Sequence, residues 1–375
     1  MFLQGWLGYL AAHAAAGHVR TMDSADSPRS PRKRRKMQSI TMTDVAQLAA
    51  VSPSTVSLYL RKPAAVSERI SLRVKAAIDE LGYVPNYVAG GLAAAGSRVV
   101  SVIVPSLRNA FFSETVTELE RLLAQHGLQT LVGHTEYSRE QEEALVRAAL
   151  SWAPAAIVLT GCTHTQATRD LLRKTATPVV EMWELGCTPI DQAVGFSHEA
   201  AGRCIARRFI EQGYDSAAFL GARLGEDLRA AQRAQGFLDE MAEAGLPARL
   251  LEDAQPASTA SGVRLLAAMD NAPARAVACS NDTLALGVLF EAQRRGISVP
   301  GTLAVAGFGD LDFAAQTVPP LTTIRPAADQ IAAKVAGCIL ARDPLAGPGS
   351  AAEADGADAP RSHDTGFTFV PRASG

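Results

Sequence analysis

From Val99 onward the sequence alternates short apolar runs with amphipathic segments, and this alternation limits the fold more than any other feature. VVSVIVP (Val99–Pro105) leads into FFSETVTELERLLAQHG, then QTLVG, SREQEEALVRAALS and AIVLT. QAVGF, HEAAGRCIARRFIEQGY, SAAFLG, DLRAAQRAQGFLDEMAEAG, AVACS, DTLALGVLFEAQRRG and LAVAGF continue the pattern. A short apolar run reads as a strand covered on both faces, and an amphipathic helix is the crossover that a parallel neighbour requires. Repeated β-α-β units therefore predict parallel sheets clad in helices. The strands are too many for one ordinary sheet, so two doubly wound lobes are expected over 98–341. In such folds ligands sit at the carboxyl ends of strands, here in the cleft between lobes.

Ahead of this body lies a different pattern, Ile40 to Tyr83. Thr43 is a candidate N-cap for a short helix with Val45, Leu48 and Ala49 on one face. Ala50 and Val51 form a turn, and Ser52 with Pro53 opens a second helix as N-cap and N1 residues. A third helix is expected from Ser67 to Leu81, ending at Gly82 with Pro85 beyond. Two short helices on so tight a turn have the form of a helix-turn-helix, whose second helix enters the major groove. A generic bundle of small helices is the alternative.

Charge supports the same division. Through Leu92 the chain carries 12 Lys and Arg against 6 Asp and Glu, +6, which leaves 24 against 32, −8, for the remainder. A basic end on an acidic body suits phosphate contacts from one region only. Apolar residues make up 47% of the 375, enough for two or three cores, so disorder over most of the chain is excluded. The five cysteines (Cys162, Cys187, Cys204, Cys279, Cys338) lack zinc spacing and are expected as reduced thiols. No apolar run approaches the ~20 residues of a membrane span. The start, MFLQGWLGYLAAHAAAGH, lacks the basic n-region of a secretory signal. PRKRRK (Pro31–Lys36) reads as a nuclear address or as a flexible basic arm on phosphates, and Met22 or Met37 is an alternative first residue. Residues 1–40 are thus a basic, disordered extension. DPLAGPGSAAEADGADAPRSHDT lacks periodicity, so 342–365 reads as a disordered insertion, and GFTFV makes 366–375 a terminal strand.

Several motifs resemble the LacI/GalR family of regulators: T-x-x-D-V-A-x-x-A (Thr41–Ala49), V-S-x-x-T-V-S (Val51–Ser57), Val66-Ser67 and L-G-Y-x-P-N (Leu81–Asn86). The resemblance implies a helix-turn-helix headpiece over 41–85, a hinge over 86–97, and a periplasmic-binding-protein-like effector domain of two lobes joined by three crossings. Crossings near Phe196 and near Leu321–Ile324 fit. It places Leu92 as the hinge wedge of the minor groove, with Asn86 and Tyr87 leading into it. Gly90 and Gly91 weaken that hinge helix, and a flexible linker is its alternative. DNA contacts are expected from Ser52 and from Pro53, Ser54, Thr55, Ser57 and Leu58, which face base edges. Pro53 offers no donor, so base readout rests on Ser54, Thr55 and Thr41, with Arg61 and Lys62 on phosphates. Leu58 stands where relatives often carry an arginine able to bond guanine; leucine reaches only a thymine methyl.

S-W at Ser151, L-T-x-x-T-H-T (Leu159–Thr165), P-V-V-E at Pro178, A-V-G-F at Ala193, L-G-A-R-L at Leu220 and the closing G-F-T-F resemble the gluconate-repressor branch. The resemblance implies effector contacts from Phe111 and Phe112 (one of the two in the cleft), Phe196, Arg233, Asn281 and Asp282. Asp282 is also a candidate helix cap. Gly309 replaces the Asp of sugar-binding relatives, which removes a repulsion and favours an anion. Thr163, His164 and Thr165 form a polar loop facing a carboxylate, with Glu181 beside the cleft; a merely exposed loop is the alternative. The function implied is a DNA-binding regulator, a repressor by preference, acting as a cytoplasmic homodimer under a sugar-acid effector. A neutral sugar or a partner protein as signal stays open. So do a sugar-binding protein and a sugar-acid enzyme, although no Gly-rich phosphate loop, G-x-S-x-G or metal spacing occurs, and no cofactor is expected.

Overall fold

The computed structural model describes residues 40–84, 97–269, 274–342 and 361–375. Its two compact units divide between Pro85 and Asn86.

In the first unit α1 (Met42–Leu48), α2 (Pro53–Arg61) and α3 (Glu68–Leu81) enclose Val45, Ala46, Ala49, Val56, Val74 and Ala77. The first cap is Thr41, not the expected Thr43. Asp44 returns a bond to the Thr41 N–H, so two orphan donors are satisfied at once. Leu48, expected in the core, is 45% exposed. Ala50 adopts a left-handed φ of 48° in the turn, and Arg73 of α3 donates to the Ala49 and Ala50 carbonyls, pinning it. Ser52 caps α2 with Pro53 at its start, and Gly82 ends α3 at φ 62°.

The second unit opens with β1 (Val99–Val104), α4 (Ala110–Ala124), β2 (Gln129–His134), α5 (Arg139–Leu150) and β3 (Ala156–Thr160). There follow α6 (Gln166–Arg173), β4 (Val179–Met182), β5 (Gln192–Gly195), α7 (His198–Glu211), β6 (Ala217–Ala222) and α8 (Leu228–Glu243). Next are β7 (Ala248–Asp253), α9 (Thr259–Ala268), β8 (Ala276–Cys279), α10 (Asp282–Arg294) and β9 (Ala304–Phe308). The end comprises β10 (Thr322–Pro326), α11 (Ala328–Leu340), β11 (Ser362–Asp364) and β12 (Phe367–Val370).

Two six-stranded sheets result, ordered β11-β5-β4-β3-β1-β2 and β12-β10-β9-β8-β6-β7. Every pair is parallel except β10 with β12. Inner strands such as β3 and β9 are buried throughout, which is why they read as unbroken apolar runs. The chain passes between sheets after β5, again after β10, where α11 packs on α4, β4 and β5, and again between β11 and β12. The first matches the expectation at Phe196. The second falls after Pro326, later than Leu321–Ile324, because Leu321 precedes β10 and Thr322–Ile324 are still inside it.

Two expectations are corrected. The region 342–365 is not wholly outside the fold. Residues 343–360 lie beyond the described ones, but Ser362–Asp364 extends the first sheet beside β5, and Arg342 pairs with Asp191 at 2.6 Å. S-H-D is a polar edge strand held by backbone bonds, so it carries no apolar signature. Second, Cys162 and Cys187 are joined in a disulfide, while Cys204, Cys279 and Cys338 are free. The loops after β3 and β4 meet only through sheet topology, and a separation of 25 residues does not advertise that.

Candidate functional site

On the headpiece, the start of α2 presents a knot of hydroxyls. Ser52 Oγ accepts from the Thr55 N–H and bonds the Ser54 and Thr55 hydroxyls at 2.7 and 2.8 Å. These bonds hold the three side chains in place, which would reduce the ordering cost of any contact they make. Leu58 is 37% exposed, Pro53, Ser54 and Lys62 are exposed, and Ser57 is half-buried. Thr41 already spends its hydroxyl on Asp44 Oδ2 at 2.7 Å. Asn86, Tyr87, Leu92 and the side chain of Arg61 lie outside the described residues.

In the second unit, the strand ends surround a cavity of about 310 Å³ whose lining includes Val104, Tyr137, Thr163, Glu184, Arg223 and Arg229. A smaller space of about 10 Å³, room for roughly one water, lies among Phe111, Phe112, Trp183, His198, Asp227, Arg229, Arg233 and Phe308. The first sheet's side supplies Phe111, Phe112 and Trp183, while α7, α8 and β9 of the second side supply His198, the arginines and Phe308.

Arg233 is 3% exposed. Its guanidinium lies 3.8 Å from the centre of the Phe308 ring, donates to the Ser280 carbonyl at 2.8 Å and meets His198 Nδ1 at 2.9 Å. The other ring nitrogen of His198 faces the Trp183 carbonyl at 2.8 Å. A carbonyl only accepts, so Nε2 carries the hydrogen and Nδ1 accepts from Arg233. Burial, then Arg233 and Arg229, hold the His198 pKa well below its usual value, so the ring is neutral. Burial also lowers the Arg233 pKa to about 10, which leaves it charged at neutral pH. Its Nε–H and the Trp183 indole N–H are buried without a partner. Arg229 sits one turn earlier on α8, 5.6 Å over Phe112. Tyr137 receives a 2.6 Å bond from the Asn109 amide, and burial followed by Asp227 pushes its phenol up, keeping it a neutral donor. Gln232 of α8 donates to Glu184 Oε1 at 2.6 Å, a polar tie between the two sides. The arrangement offers two guanidinium groups, one of them 3.9 Å from the Asp227 carboxylate, and unmatched N–H donors inside aromatic walls, chemistry that can hold an oxygen-bearing ligand.

The candidates from sequence fall unevenly. Both Phe111 and Phe112 line the inner space, not one, and Thr163 lines the larger cavity. Phe196 does not reach either: it is fully enclosed by Trp183, His198, Phe308 and Phe367, and Phe308 holds the wall position. His164 turns inward, its ring nitrogens 2.6 and 3.1 Å from Glu142 and Glu181. Both partners only accept, so both nitrogens donate and the ring is an imidazolium. Burial opposes that charge, but the two carboxylates prevail and raise the pKa to about 9. Glu181, with no exposure, also accepts from the Ile190 N–H at 2.6 Å. His164 and Glu181 thus satisfy one another rather than a ligand, and Thr165 caps α6. Asn281 caps α10 through the Leu284 N–H. Asp282 is not the cap: its carboxylate accepts from the Thr323 hydroxyl at 2.6 Å and the Leu311 N–H at 2.8 Å, and burial lifts its pKa to about 6. Gly309 has φ 130°, a backbone shape that side chains resist, so a conformational need accounts for it beside Phe111. Arg229, His198, Trp183 and Tyr137 were missed. Only Arg229 had a signal, its four-residue spacing from Arg233 on one helix face.

Among the described residues no His, Cys, Asp and Glu cluster could hold a metal, and no helix is long and apolar enough to cross a membrane. Comparison with known proteins agrees with the geometry. The pattern described as bacterial regulatory proteins, lacI family, matches residues 41–86, and that of a periplasmic binding protein-like domain matches 206–374. The HTH-type transcriptional regulator GntR of Pseudomonas aeruginosa is 38% identical over 307 residues, 80% of this chain and 88% of that protein. The Escherichia coli K12 regulator of the same name is 34% identical over 335 residues, covering 89% and 98%. A LacI-family regulator structure from Silicibacter pomeroyi superposes with a TM-score of 0.81 at 32% identity, covering 89% of this chain and 99% of that one. The chain belongs to the LacI family of DNA-binding transcriptional regulators, on the side of its GntR-type members.

Proposed function

We propose that the protein is a repressor that binds a near-palindromic operator as a homodimer and answers to a sugar acid of the gluconate type. The observation that carries the ligand class is Arg233, a buried guanidinium whose Nε–H has no partner, with Arg229 one turn away. Asp227 lies 3.9 Å from Arg229 in the same lining and offsets one of the two guanidinium charges, so a neutral hexose would leave one cation uncompensated in a desolvated space. A carboxylate would meet the free Arg233 donor and balance the remaining charge, and its polyol tail would extend into the 310 Å³ cavity toward Tyr137, Thr163 and Glu184. Dimerisation follows from contact number: one headpiece offers few phosphate and base contacts, and two on a symmetric site double them. Effector and operator are then linked by a coupling free energy of about 1–3 kcal/mol, equal in both directions.

Titration calorimetry with gluconate and glucose, paired with anisotropy of labelled DNA from upstream of the protein's own gene, tests this. Gluconate should bind and shift operator affinity by about 5–150-fold, the range of such couplings, while glucose does neither. Binding of glucose with no response to any aldonate would end the sugar-acid reading.

A further inference from the structure

We infer that the Cys162–Cys187 pair is a redox-modification site, oxidised to hold the effector cleft in shape and reduced to loosen it. The bridge ties the loop after β3 to the loop after β4 with Cα atoms 6.4 Å apart. Both loops build the cleft: Thr163 and Glu184 line the larger cavity, and Trp183 lines the smaller. Weaker bonds run alongside the bridge. The Cys162 N–H donates to Glu184 Oε2 at 3.3 Å, and the Gly161 N–H to the Met182 carbonyl at 2.8 Å. The backbone there requires holding. Trp183 sits at φ 75°, a left-handed shape that a tryptophan keeps only when its surroundings enforce it. Gly161 and Gly186 on the same two loops have φ 85° and 111°. A covalent clamp across these loops therefore fixes the carbonyl of Trp183, which orients His198 and through it Arg233.

The pair is also reachable. Cys162 is 4% exposed, but Cys187 is only half-buried. An incoming low-molecular-weight thiolate attacks Cys187 Sγ; the S–S bond breaks, its electron pair goes to Cys162 Sγ, and that sulfur takes a proton. A second thiol displaces the mixed disulfide, leaving two protein thiols and one small-molecule disulfide. The reverse reaction, with glutathione disulfide as oxidant, restores the bridge and releases two glutathione thiols. A DNA-binding regulator works beside DNA, where thiol pools keep most cysteines reduced, and disulfides formed in such compartments are usually transient and sensing. The inference does not depend on the effector being a sugar acid.

The test compares full-length protein equilibrated with glutathione disulfide and with dithiothreitol. Non-reducing digestion and mass spectrometry should find a 162–187 cross-linked peptide only in the oxidised sample. Amide hydrogen exchange over 161–165 and 183–190 should be about tenfold faster after reduction, as for a local opening made easier, with β6 and β8 peptides unchanged. Cys187→Ser should exchange like the reduced protein under both conditions. Absence of the cross-link after oxidation, or equal exchange of both loops in the two states, overturns the proposal.

Discussion

Replacing His164 by Gln tests whether a buried ion triad stabilises the wall of the cleft. The ring is charged because both nitrogens face carboxylates, one of which, Glu142, also lines the cavity. Its pKa rises from 6.5 in the unfolded chain to about 9 in the fold. At roughly 1.4 kcal/mol per unit, this is about 3 kcal/mol of stability tied to protonation. The folded value lies above the unfolded one, so the contribution is complete below pH 6.5 and fades as pH rises through about 9. His198 works in the opposite sense, since its folded pKa is depressed and its stabilisation is lost as pH falls below 6.5. Both chains share it, so it cancels in the comparison. Urea unfolding followed by circular dichroism at pH 6 and pH 10 should show H164Q well below wild type at the lower pH. The gap should then narrow by about 3 kcal/mol at the upper one. A gap that stays constant across the range would mean a neutral ring, and the charge assignment would be wrong.

Three further outcomes are expected. Gly161→Ala adds a Cβ 2.7 Å from an Arg229 nitrogen and 2.9 Å from Glu184 Oε2 at φ 85°, so gluconate affinity by calorimetry should fall at least about tenfold with operator binding retained. Ser52→Ala removes the α2 cap and the anchor of Ser54 and Thr55; the isolated headpiece should lose about 1 kcal/mol in thermal unfolding, and full-length operator affinity should drop. Leu58→Arg places a fork on an exposed recognition-helix position, and a selection from random half-sites should shift toward guanine at one base, worth about 1–3 kcal/mol; an unchanged preference would place Leu58 off the bases.

The parts of the fold legible in sequence were those where one physical rule dominates. β1, β3, β6, β8 and β9 are buried on both faces and so read as apolar runs, and Ser52-Pro53 and Gly82 announce helix ends whatever the surroundings. β4 was harder to see as a strand because VVEM contains Glu181, a charge tolerated only through His164 and the Ile190 N–H, neither of which is close in sequence. β7 is a half-exposed edge, and β11 is held by backbone bonds from polar residues. The cleft was partly readable. Arg233 and Phe111–Phe112 were found, whereas His198, Trp183 and Phe308 become a site only when α7 and the ends of β4 and β9 converge. Buried polar groups look alike in sequence whether they serve each other, as His164 and Glu181 do, or keep an unmatched donor, as Arg233 does.

That last difference bears on how a ligand could control DNA binding at all. A ligand shifts a conformational equilibrium only by the difference in its affinity for the two states. One held by a single lobe would bind every lobe arrangement equally and change nothing. Here the cationic groups, Arg229 and Arg233, stand on α8 of the second lobe, while Phe111, Phe112, Trp183, Tyr137 and Glu184 come from the first. An anion seated on the arginines touches the opposite wall only when the lobes approach correctly. The unpartnered Arg233 Nε–H, and two guanidinium charges of which Asp227 offsets only one, make the empty closed form expensive. The proposed anion would remove that expense where it arises, and its binding energy would then appear as a preference for one lobe arrangement. The Gln232–Glu184 bond between the lobes is then the polar contact that such a preference would keep or break.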